Sequence, residues 1–287
     1  MDIEIPGVTV GHWTDLDAQT GCTVVRFPEG TVASGEIRGG APATREFELL
    51  DPSRAVDRLD AVVLSGGSAF GLAAADGVVV ALEAEGQGFP TAAGIVPIVV
   101  GMSLYDLGVG SSSVRPDAES GRTALGAASS DAAAGRVGAG TGATVGKWRG
   151  PEHARTAGLG VRVVRSGHLV AAAIVVVNAA GDIDDGTTMA AIAAGELLWP
   201  DRQQFGNTTI GVVVTNARLT KNDCLTVAQG AHDGLARAIV PPHMRSDGDG
   251  FVAAATGAME AGVDHVRLLA VAAVEQAIRA ALGTLDP

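Results

Sequence analysis

The sequence is short of three things at once: aromatic side chains, lysine and cysteine. Phe, Trp and Tyr make up 3% of the 287 residues, too few for the stacking platforms on which single-stranded nucleic acids are held. Acidic residues number 32 against 20 basic ones, a net charge of −12, so the surface field repels phosphate backbones and anionic lipid. Both facts argue against nucleic-acid and membrane partners. Of the 20 basic residues 18 are Arg, and the two lysines are Lys147 and Lys221. The two cysteines, Cys22 and Cys224, lack metal-site spacing and read as reduced, buried thiols. Long apolar runs are missing too. The longest, residues 169–177, falls far below the about 20 residues of a membrane span. The opening MDIEIPGVTVGHW has neither a basic n-region nor an apolar h-region, and a cytoplasmic location is expected.

What is abundant is small and apolar. Hydrophobic residues reach 47% and charged residues only 18%, a globular rather than a disordered composition. The 40 glycines keep no Gly-X-Y period, which excludes collagen and assigns them to turns and close backbone approaches. Length alone suggests nearly two domains at about 150 residues each. No linker or internal repeat divides the chain, so one unit spanning 1–287 is expected.

Short β-branched runs bounded by glycine predict strands at Cys22–Phe27, Asp60–Ser65, Ile95–Val100, Gly160–Ser166, His168–Asn178 and Thr208–Ala217. Apolar spacing of three and four predicts helices over Ser68–Ala84, Glu119–Ala133, Thr220–Ala238 and Asp264–Leu282, with Asp264 as N-cap and Gly283 as stop. Strands succeed one another about as often as they succeed helices, and a hairpin is expected around Ser166-Gly167. The class is therefore α+β rather than alternating α/β. Leu198–Asn207 reads as an exposed connection.

Several motifs fail on inspection. Gly66-Gly67-Ser68-Ala69-Phe70 has Phe70 where a nucleophile elbow needs glycine, so it reads as a strand-to-helix turn with Ser68 near the N-cap. Gly138-Ala139-Gly140-Thr141-Gly142-Ala143 lacks the preceding strand of a dinucleotide site, and Gly146-Lys147 leads into Trp148 rather than Ser or Thr. Lys147 is then either a solvated lysine or a cation held near a reacting centre. The six histidines and Asp247-Gly248-Asp249 show no complete metal pattern, so neither metal nor cofactor is expected. Within Phe205–Lys221 a Thr pair opens an apolar strand directly after an exposed Gly206-Asn207, where Thr208 presents a hydroxyl and the preceding peptide bond. An ordinary strand threonine is the plainer reading of that composition.

Taken in order, GVTVGHWTD from Gly7, TGCTVV from Thr20, GGAPATRE from Gly39, VVLSGGSAFGLAAADGV from Val62, GTGATVGK from Gly140, VVVNAAGDI from Val175, GNTTIGVVVTNA from Gly206 and Asp247-Gly248-Asp249 resemble the DmpA-like self-processing hydrolases. That family includes L-aminopeptidase/D-amidase-esterases, β-peptidyl aminopeptidases and endo-type nylon-oligomer hydrolases. The resemblance implies a four-layer αββα sandwich and self-cleavage between Asn207 and Thr208, giving associated chains of 207 and 80 residues. Thr208 becomes an N-terminal nucleophile whose α-amine, with an ordinary pKa of about 7.7–8.0, takes the hydroxyl proton. Asn178 and Tyr105 are implied at the oxyanion, Lys147 near the hydroxyl, and Asp247 with Asp249 as the orienting pair. Some members carry Ser and Glu at the acidic positions and a Ser nucleophile, so Asp/Asp with Thr points to the Thr-type, nylon-hydrolase-like branch. The implied substrate is a small peptide, aminoacyl amide or amide oligomer, and the implied assembly a homotetramer. Two readings stay open beside this one. One is an acyltransferase similar to ornithine acetyltransferase, whose cleavage motif is Lys-Gly-Thr; the other is a non-catalytic protein retaining the fold.

Overall fold

The structure, a computed structural model, describes residues 1–196 and 206–282. Besides three short two-stranded pairs, the strands of its main sheets are β1 (Thr9–Asp15), β2 (Thr20–Arg26), β3 (Val32–Ile37), β4 (Ala43–Arg45), β5 (Ala61–Ser65), β6 (Val99–Ser103), β7 (Leu159–Ser166), β8 (Leu169–Asn178), β9 (Thr208–Arg218) and β10 (Gly250–Glu260). They form two five-stranded sheets, β1-β2-β5-β6-β4 and β7-β8-β9-β10-β3. Each sheet holds one parallel pair, β5 with β6 and β9 with β10. The helices are α1 (Ala74–Ala84), α2 (Ala118–Gly126), α3 (Thr187–Ala194), α4 (Lys221–Ala238) and α5 (Val263–Ala280).

The layering arises from side-chain alternation. Ile174 and Val176 of β8 meet Leu64, Val100 and Met102 of the first sheet in a core between the sheets. Their neighbours Val175 and Val177 point the other way, onto Val227, Ala231, Ala270 and Val274 of α4 and α5. A third cluster joins Val24, Val63 and Val99 to Val78, Leu82 and Ala124 of α1 and α2. Strands buried on both faces must be apolar throughout, which is why β8 and β9 read as continuous hydrophobic runs. The expected αββα sandwich is thus the observed one.

Glycine and alanine replace aromatic bulk where helices meet. A Cβ on Gly77 would lie 1.7 Å from the Ala118 carbonyl oxygen, and one on Gly121 1.9 Å from that of Ala74. The α1–α2 contact therefore runs backbone to backbone.

Several boundaries differ from the sequence reading. The helix expected over Glu119–Ala133 stops at Gly126. Beyond it Ser129 exchanges both backbone hydrogen bonds with Val10, and Gly135 does so with Leu159, so strand edges claim the donors that a helix would use. That extended segment leads into a single 3₁₀ turn, Gly138–Gly140, not the helix of a dinucleotide site. Pro97 separates Gly94–Val96 from β6, which dissolves the single strand expected over Ile95–Val100. Ser68 lies beside the N-cap, which is Gly67 with φ 80°, and Ser68–Ala73 is 3₁₀ before α1 begins. Gly262, not Asp264, caps α5, while the expected stop Gly283 lies outside the described residues. Thr220 caps α4 with a reciprocal Thr220–Asp223 box.

Topology brings the chemistry to one end of the second sheet. The last pair of the antiparallel β8–β9 register is Asn178 opposite Thr208. β10 runs parallel to β9 from Ile210 opposite Gly250, so the residues before β10 lie beside the start of β9. Asn207 bridges Asp247 there. Among the described residues no helix is long and apolar enough to cross a membrane.

Candidate active site

Asn207 and Thr208 are buried, 5% and 4% exposed, so Asn207 is not exposed as the sequence reading of Gly206-Asn207 expected. Two contacts explain this. Asn207 bridges Asp247, and the ring of Tyr105 lies so close that a Cβ on Gly206 would be 2.8 Å from its Cδ1. Gly206 itself has φ 109°, a conformation glycine adopts without steric cost. Most of the expected connection, residues 197–205, lies outside the described residues.

The peptide bond before Thr208 is already polarised. The Asn207 carbonyl oxygen accepts the Gly248 N–H at 2.9 Å and the Thr208 hydroxyl. Gly248 can donate because it has no side chain: a Cβ there would lie 2.8 Å from the Ala41 oxygen and 3.0 Å from Thr208 Oγ1. This backbone donor was missed in the sequence, although its place between two aspartates was a signal.

Asn178 is fully buried, and its neighbours fix the orientation of its amide. Oδ1 accepts from Lys147 Nζ at 2.9 Å and from the Thr144 N–H at 3.0 Å. Nδ2 must then face the other way, and it donates to the Tyr105 carbonyl oxygen at 3.0 Å and to that of Gly206 at 3.4 Å. A neutral donor is thus held beside the Gly206–Thr208 segment.

Lys147 comes directly after Gly146, whose φ of 80° opens a short turn. The turn is pinned by Gly146 N–H to the Gly181 oxygen and Trp148 N–H to the Ala180 oxygen, and by Trp148 Nε1 to Asp182 at 2.9 Å. The Lys147 ammonium also donates to the Asn178 carbonyl oxygen at 3.0 Å. Its burial lowers the pKa to about 7, against the opposing pull of Asp247. A lysine so placed exchanges its proton near neutral pH.

The acidic pair is buried as well, Asp247 1% and Asp249 2% exposed. Asp247 accepts the Ala180 and Met244 N–H groups, each at 3.0 Å. Burial first, and the charge of Asp249 second, raise its pKa well above the usual carboxylate range. Asp249 accepts the Thr209 N–H at 2.6 Å and faces His243 Nδ1 at 2.8 Å. Asp249 therefore grips the backbone after Thr208, Asp247 the backbone at Ala180 and Met244, while the Thr208 hydroxyl turns to Asn207.

The structure gathers Tyr105, Lys147, Asn178, Asn207, Thr208, Asp247 and Asp249 in one region. Tyr105 enters through its carbonyl oxygen and ring, with its side chain 43% exposed. A cavity of about 260 Å³ opens there, walled by Tyr105, Val109, Thr144, Lys147, Pro151 and Asn207 among others. Among the described residues no group of three or more His, Cys, Asp or Glu is placed to hold a metal ion. A buried hydroxyl beside a polarised carbonyl, an oriented amide donor, a lysine titrating near 7 and an acidic pair define an amide-hydrolysing site.

Comparison with known proteins agrees. Residues 3–286 match the model of peptidase family S58, and the chain belongs to that family; it is a peptidase, an amide-bond hydrolase. An uncharacterized aminopeptidase of Mycobacterium leprae (strain TN) is 42% identical over 90% of this chain and 79% of its own. The 6-aminohexanoate-oligomer endohydrolase of Kocuria sp. (strain KY2) is 32% identical over 89% and 75%. The L-aminopeptidase D-Ala-esterase/amidase of Ochrobactrum anthropi, described as a variant of the Ntn hydrolase fold, superposes with a TM-score of 0.72. It covers 96% of this chain and 84% of its own at 20% identity, a likeness of fold.

Proposed function

We propose that the chain is an N-terminal-threonine amidohydrolase activated by its own cleavage between Asn207 and Thr208. The observation that carries this reading is the Asn207 carbonyl, which receives the Gly248 N–H and the Thr208 hydroxyl together. In the first step Oγ1 bonds to the Asn207 carbonyl carbon, the C–N bond breaks, and the hydroxyl proton passes to the departing amine through a base such as neutral Lys147. The Gly248 N–H is a donor for the developing oxyanion. Water then cleaves the ester, leaving a carboxylate on Asn207 and a free α-amine on Thr208. The pieces, 1–207 and 208–287, stay together as one unit because β9 lies between β8 and β10 in the sheet.

In the processed form the α-amine of Thr208 takes the hydroxyl proton as Oγ1 attacks a substrate amide. Asn178 Nδ2 donates to the oxyanion, with Tyr105 at the cavity wall; Asp249 holds the Thr209 amide and Asp247 the Ala180 and Met244 amides. The leaving amine departs, and water releases the acyl group. The relatives' names, aminopeptidase and 6-aminohexanoate-oligomer endohydrolase, favour small peptides, aminoacyl amides or amide oligomers as substrates. The reading includes a cytoplasmic homotetramer, tested by sedimentation and fractionation.

Intact mass of the purified protein tests the mechanism. The wild type should give two fragments meeting at Asn207/Thr208, and Thr208→Ala one inactive chain. An uncut but active wild type overturns the proposal. Incubation with an aminoacyl amide and an amine acceptor separates hydrolysis from transfer, since acylated acceptor would assign an acyltransferase.

A further inference from the structure

Behind the acidic pair stands a histidine that touches none of the reacting atoms. His243 Nδ1 lies 2.8 Å from Asp249 Oδ2, while Asp249 Oδ1 accepts the Thr209 N–H at 2.6 Å. The ring is held from behind. His232 of α4 meets it edge-on with centroids 4.9 Å apart, packs at 5.0 Å on Phe251, and contacts the Glu36 carbonyl oxygen through Nε2 at 2.9 Å. The second ring nitrogen of His243, Nε2, is buried without a hydrogen-bond partner among the described residues.

We propose that His243 is a positioning residue: by donating Nδ1–H to Asp249 it fixes the carboxylate that holds the Thr209 amide, and with it Thr208, in place for attack. The proposal rests on the reading of Thr208 as nucleophile. With a donor on each oxygen, the Asp249 carboxylate is held in one orientation, Oδ1 on Thr209 and Oδ2 on His243. A carboxylate oxygen accepts, so Nδ1 is the donating atom of the ring, while Nε2 has no hydrogen-bond partner among the described residues. The titratable groups around the ring fit this arrangement. His232 is neutral, its pKa pushed by burial to about 3, with Arg38 and Asp233 acting on it from the rim. Asp247 lies on the same segment as Asp249, and Lys147 faces Asp247 from the 144–149 turn.

The test uses three variants of the full chain. His243→Asn puts an amide donor where Nδ1 stands and tolerates the backbone φ of 51°. His243→Gln and His243→Ala have no donor at that point. Self-cleavage rate, kcat and KM are measured for each. Losing the donor frees Asp249 to turn away from the Thr209 amide, so the self-cleavage rate and kcat should each fall about tenfold in the Gln and Ala variants while KM stays within about twofold. His243→Asn should bring both rates back to within about threefold of the wild type. If the Ala variant fails to fold, the Asn and Gln rates decide. Equal Asn and Gln rates, or a change confined to KM, overturn the role of His243. Failure of the Thr208 reading would show separately, as an uncut active wild type or an active Thr208→Ala.

Discussion

Asn178 stands opposite Thr208 in the register of two neighbouring antiparallel strands, and Lys147 donates to both oxygens of Asn178. Strand pairing thus sets the distance between the Asn178 amide and the Thr208 hydroxyl. The lysine sets which way the amide points.

Lys147 should govern the pH dependence of self-cleavage. Burial brings its pKa to about 7, so the neutral amine is the major form above that pH and the ammonium below it. The cleavage rate should rise with pH and level off above about 7, as read by intact mass over time. Lys147→Arg, which stays protonated throughout, should be slowed by about 10²-fold or more.

Gly248→Ala should slow cleavage while leaving the chain folded. The added Cβ falls 2.8 Å from the Ala41 oxygen and 3.0 Å from Thr208 Oγ1, so hydroxyl or loop must shift. A displacement of that size costs roughly 10²-fold in rate and about 1–3 kcal/mol in stability. Mass spectrometry and thermal unfolding read the two effects.

The second lysine should behave in the opposite way. Lys221 Nζ donates to the carbonyl oxygens of Leu49, Arg54 and Val56 at 2.8, 3.1 and 2.8 Å, tying α4 to the segment after β4, beyond the end of β9 opposite to Thr208. Lys221→Met should lower stability by about 2 kcal/mol, a drop of roughly 5 °C in Tm, and still cleave itself.

Both cysteines should be silent to thiol reagents until the protein unfolds. Cys22 and Cys224 are buried and unpaired with each other, and burial raises each thiol pKa to about 12, so almost no thiolate forms near neutral pH. Titration with an aromatic disulfide should count no thiols in the native state and two in guanidinium.

Much of the site was legible because its pieces are short blocks of local sequence. GTGATVGK, VVVNAAGDI and GNTTIGVVV each hold one chemical group at the end of a strand or turn, and their strands formed about where β-branched runs were read. The misses are of a different kind. The Ala-rich stretch after Gly126 looked helical from composition, yet Val10 and Leu159, distant in sequence, took its backbone hydrogen bonds. His243 was weighed only for metal spacing, and its six-residue separation from Asp249 says nothing until the loop folds back.

The layered α+β class was already set by residue order, since period-two apolar runs buried on both faces and three-four spaced helices admit few other packings. So were the candidate groups: one threonine after an asparagine, two lysines, two aspartates around a glycine. Which lysine meets Asn178 was decided by folding, because Lys147 and Lys221 are the same residue type and differ only in the groups they meet. Folding also buried Asn207 and raised the pKa of Asp247 above the usual carboxylate range. Those properties depend on desolvation and on partners up to some 70 residues away, such as Ala180 to Asp247, which no local pattern encodes.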